Sequence, residues 1–80
     1  MMNTIDEQWG RFSSAIGLKD TTPVQQVETK RAFYAGAASM LHLQMRAADM
    51  NLSEAAAIAM LNGWHEECDA FGRAIVAGEA

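Results

Sequence analysis

From Pro23 to Asp49 the chain can run as one helix of about 27 residues, about 40 Å long at 1.5 Å per residue, with apolar side chains in two rows along it. One row is Val24, Val27, Tyr34, Ala38, Leu41, Met45 and Ala48, interrupted by Arg31. The other is Phe33, Gly36, Met40, Leu43, Ala47 and Met50. Each row follows the three-four spacing that collects residues on one side of an α-helix, and the two rows lie about 100° apart around the axis. A helix apolar on two sides must be covered on two sides, so the rest of the chain, or a second chain, has to supply that cover.

The helix has a clear start. Thr22 is a good N-cap, Pro23 suits the first helical position, and Gln25 completes a capping box in which two side chains satisfy free backbone N–H groups. Two further helices read from the same signals. Thr4 and Glu7 form a second capping box, and Ile5, Trp9, Phe12 and Ile16 follow on one face. Gly17 is placed to end that helix, and Leu18 falls where a closing hydrophobic contact is common. Ser53 caps the third helix, Glu54 sits in its positively polarised first turn, and Gly78 stops it. Its row is Ala57, Leu61, Trp64, Cys68, Phe71 and Ile75. The helices are therefore expected at about 5–16, 23–49 and 54–77. No strand pattern is present. The short link at 50–53 makes the second and third helices antiparallel neighbours. The expected fold is all-α: a long antiparallel helical hairpin with a shorter N-terminal helix packed on it as a three-helix bundle, which could dimerise into a larger bundle.

A chain of 80 residues is expected to make one domain. A domain this small is marginally stable, and many such domains add disulfides, metals or a partner subunit. The one cysteine, Cys68, allows no intrachain disulfide; on the apolar row of its helix it reads as a buried thiol suited to a reducing cytosol. The net charge of −4 argues against nonspecific nucleic-acid binding, which needs a surface of lysine and arginine to displace counterions. The opening MMNTIDEQWGRF lacks the basic segment and apolar run of a signal peptide. The longest mostly apolar stretch, AFYAGAASMLHLQM, falls short of the roughly 20 residues that a membrane span needs. A cytoplasmic protein is expected.

Gly36 raises a packing question. A glycine inside a helix costs about 1 kcal/mol relative to alanine, and Ala32, Ala35, Ala37, Ala38 and Ser39 surround it with little side-chain bulk. A large aromatic is expected to lie across this shelf: Trp64 from the third helix, or Trp9 or Phe12 from the first. The rival is a second chain crossing at the same place.

Chemical motifs are sparse. His65 and Cys68 are three apart in WHEECDAF, and His42 is on the preceding helix, but zinc needs four such ligands, or three and a water. No metal or cofactor is expected. There is no glycine-rich phosphate loop, nucleophile elbow, H-E-x-x-H or inward Glu-x-x-His pair, so no enzyme activity is expected either. Glu54, Glu66, Glu67 and Asp69 read as a solvated face. The cations Arg11, Lys19, Lys30, Arg31, Arg46 and Arg73 could form a small basic patch, but the alanine-rich SEAAAIAM after the tight turn is a poor reader of bases. The methionines at 40, 45, 50 and 60 gather towards the end of the second helix and the start of the third. Methionine fills irregular cores and also lines adaptable binding surfaces. Met45 reads as ordinary core packing. Phe33, Gly36, Met40, Leu43, Ala47 and Met50 form the candidate protein interface, because a short first helix cannot cover the whole row.

The pieces EQWGRF, QQVETKRAFYAGAASML and LNGWHEECDAFGRAIVAG together resemble a group of small uncharacterised phage- and prophage-encoded helical proteins, with Arg31 to Ala37 (RAFYAGA) as the most specific part. The resemblance spans most of the chain. It implies a context, the cytosol of a bacterial host, and transfers no catalytic or binding residue. The expected function is therefore that of a small phage-type accessory protein working by protein–protein interaction: an inhibitor or adaptor of a host or viral complex, with anti-defence action, including against CRISPR nucleases, in its range. The expected partners are an unidentified protein and a second copy of the chain. Alternatives are a phage structural or assembly component and a small DNA-binding regulator.

Overall fold

The computed structural model describes residues 3–80. It is all-α, with three helices and no strand among those residues. Helix α1 spans Ile5–Ala15, α2 spans Pro23–Asp49 and α3 spans Glu54–Val76; a single 3-10 turn at Leu18–Asp20 lies between α1 and α2. The chain divides into two compact units, residues 1–45 and 46–80.

Local chemistry accounts for the boundaries. At the start of α1 the Glu7 N–H donates to Thr4 Oγ1 (3.0 Å) while the Thr4 N–H donates to Glu7 Oε1 (3.2 Å). The same reciprocal pair opens α2: the Gln25 N–H donates to Thr22 Oγ1 (3.1 Å), and the Thr22 N–H to Gln25 Oε1 (3.4 Å). Each box satisfies two N–H groups that the first helical turn leaves without partners. At α3 the Ser53 hydroxyl accepts from the Ala56 N–H at 3.2 Å. Gly17, at φ 65°, turns the chain out of α1 through the left-handed region that side chains disfavour. Asn51 takes the same region at φ 52° in the link to α3, a position that asparagine tolerates better than most residues.

In the first unit, α1 is held to α2 by aromatic rings. Phe33 packs against Trp9 and Phe12 with ring centroids 5.3 Å apart in each case, edge-on to the indole and stacked on the phenyl. Trp9 and Phe12 complete the triangle at 6.1 Å. These spacings lie in the favourable range for aromatic pairs. Leu18 in the 3-10 turn is the one buried hydrophobic residue among those described, at 7% exposure. The Thr21 hydroxyl donates to the Leu18 carbonyl at 2.6 Å, and the Gln26 side-chain amide donates to the Thr21 carbonyl at 3.0 Å, fastening the turn to the first turns of α2.

Two packing expectations need correction. Gly36 bears no aromatic: a Cβ built there meets nothing within 4 Å, and Trp9 and Phe12 lie on Phe33 instead. Met45 is not core packing but is 65% exposed. The second unit contains the end of α2, the link and α3. Within it the α3 row is open: Leu61, Phe71 and Ile75 are 46%, 60% and 54% exposed, and only Ala57 and Trp64 of that row are half-buried.

Candidate protein interface

The structure divides the residues proposed for the interface. Phe33 is half-buried and engaged with Trp9 and Phe12, so it belongs to the α1–α2 packing and is not free for a partner. Beyond it the row opens. Gly36 faces open space, Met40 and Leu43 are exposed at 40% and 37%, Ala47 is half-buried, and Met50 is 61% exposed. The other α2 row is similarly uncovered at Val24, Val27 and Leu41. Its one polar member, Tyr34, is half-buried and donates its hydroxyl proton to Asp6 Oδ1 on α1 at 3.4 Å. Partial burial, then the charge of Asp6 and its hydrogen bond, push the phenol pKa above the ordinary 10.0, because each favours the neutral form.

Cys68 is exposed, not buried, which corrects its reading as a core thiol. On the acidic face of α3, Glu66 meets Arg73 at 3.0 Å; both side chains are largely solvated, so the pair contributes well under about 1 kcal/mol. Among the described residues, no three of His, Cys, Asp and Glu come together as a metal site.

One feature was not legible from spacing. Between α1, the 3-10 turn and the first turns of α2 lies a cleft of about 490 Å³. Trp9, Leu18 and Val27 give it apolar walls, while Ser13, Ser14 and Gln26 add polar groups. Lys19 and Lys30 supply two cations, and the Lys30 ammonium stands 5.9 Å from the centre of the Trp9 ring. None of the lining residues is acidic. Lys19 and Lys30 are eleven residues apart on different elements, so only the fold of the turn onto α2 brings them to one cleft. No helix among the described residues is long and apolar enough to cross a membrane.

No family model, no curated protein and no solved structure matches the chain.

Proposed function

We propose that this chain is a small accessory protein that works by binding protein, with a second copy of itself as one partner, and that it carries no catalytic activity of its own. The observation behind this reading is the open end of the second α2 row, where Met40, Leu43 and Met50 stand exposed beyond Phe33. Exposed apolar rows of this kind mark protein interaction surfaces, and methionine gives such a surface the adaptability to meet more than one shape. The resemblance carried by RAFYAGA adds the context of a phage protein in a bacterial cytosol, where an inhibitor or adaptor role, including one against host defence, fits a chain of this size.

The test is the molar mass in solution at tens of micromolar, by light scattering. A defined multiple of the chain mass is expected, and Leu43→Glu is expected to shift it towards a single chain by placing a charge in the contact. A single-chain mass for the unaltered protein would remove self-association from the proposal. A pull-down from nuclease-treated host lysate then asks whether a different protein binds stoichiometrically, and whether Leu43→Glu releases it.

A further inference from the structure

We infer that the cleft beside Lys30 receives helix α3 of a second copy of the chain, with Phe71 as the inserted anchor and Glu67 facing Lys30. This rests on the self-association proposed above and adds a second, charge-defined contact to it.

Two properties of the cleft define its occupant. Its walls of Trp9, Leu18 and Val27 suit an apolar or aromatic side chain. Its cations, Lys19 and Lys30, are exposed and form no ion pair among the described residues, so a carboxylate on the occupant would complement them. The chain holds such a group in its second unit. Residues 1–45 carry four cationic and four acidic side chains, whereas residues 46–80 carry two and six, so the whole net charge of −4 lies in the second unit. A cationic cleft in one unit and an acidic helix in the other are complementary, and across two copies each cleft can take the other copy's α3.

Helix α3 presents the required pair. Phe71 is 60% exposed, and Glu67, one turn before it, is a neighbour on the same side of the helix. Glu66 already has Arg73, but Glu67 has no cation within ion-pair distance among the described residues. Gly72, beside the anchor, has open space around it and lets another surface come close. The C-terminal end of α3, which carries partial negative charge, lies five residues beyond Phe71 and favours the same cationic surroundings. In a two-fold exchange each copy gives one α3 and receives one, so both clefts are filled.

A charge exchange tests this. Lys30→Glu and Glu67→Lys are each expected to weaken the dimer about tenfold at low salt, read by light scattering over a dilution series, with helical content unchanged because both positions are exposed. Mixing the two single variants is expected to restore dimer. In the mixed pair the introduced glutamate of one copy meets the introduced lysine of the other at one cleft, and the unaltered Lys30 and Glu67 meet at the other. Dimer strength unchanged in both variants would overturn this inference and leave the self-association reading standing. Failure of the mixture to recover would also overturn it, because only contact between copies can be repaired by mixing. A single-chain mass for the unaltered protein would remove both.

Discussion

The Tyr34 hydroxyl on α2 donates to Asp6 Oδ1 on α1 at 3.4 Å, a side-chain hydrogen bond between the two helices. The neutral phenol is the donor, so its raised pKa has a definite sign. The stability contributed by this contact is present below pH 10, the ordinary phenol value, and is lost as the pH climbs through the raised value. An absorbance titration at the phenolate band is expected to place the midpoint above 10.0, and Asp6→Asn is expected to bring it down, because the carboxylate charge is removed. A midpoint unmoved by Asp6→Asn would show that burial alone raises it. Gly36 lends itself to a second test. With nothing near its Cβ position, Gly36→Ala is expected to stabilise the helix by about 0.5–1 kcal/mol, seen as a higher thermal midpoint. A fall in stability or in oligomer mass would instead place a second chain on the glycine. The sequence flagged Gly36 through its small neighbours, but a run of small residues records only that close approach is allowed, not that anything approaches.

The elements depend on shorter-range chemistry, which is why they were legible. Thr4 with Glu7, Thr22 with Gln25 and Ser53 with Ala56 are bonds between residues three apart, and residues that close in the chain meet in any fold that contains the helix. The expected ends of α1 and α3 each move in by one residue, as fraying last turns commonly do, and those of α2 are unchanged. The 3-10 turn was missed. Leu18 was expected to close α1, and it does become the one buried hydrophobic residue among those described, but three residues carry too little periodicity to mark the turn itself. Docking of α1 rests on Phe33. Phe33→Ala is expected to cost about 2–3 kcal/mol, less than a fully buried phenylalanine because the ring is half-buried. Hydrogen exchange would check it: α1 amides should exchange faster while those in the middle of α2 keep their protection. Equal loss in both helices would mean that the aromatic triangle supports α2 as well.

For the molecule as a whole, the caps and three-four rows by themselves determined that the chain is all-α, where its three helices begin and, to within one residue, where they end, and that α2 carries more apolar surface than one short helix can hide. Those properties come from contacts within a few residues and from the helical period, both written directly in the order of the side chains. Only the tertiary structure decided where the cover falls. An α1 of 11 residues is about 16 Å long against about 40 Å for α2, so it reaches Phe33 and leaves Met40 and Leu43 exposed. It likewise decided that Cys68 is open to solvent, and that Lys19 and Lys30 share a cleft with Trp9. Apolar spacing says which residues need cover; which of them receive it depends on the length of the covering helix and the direction of the turn that returns it, and neither is contained in the row itself.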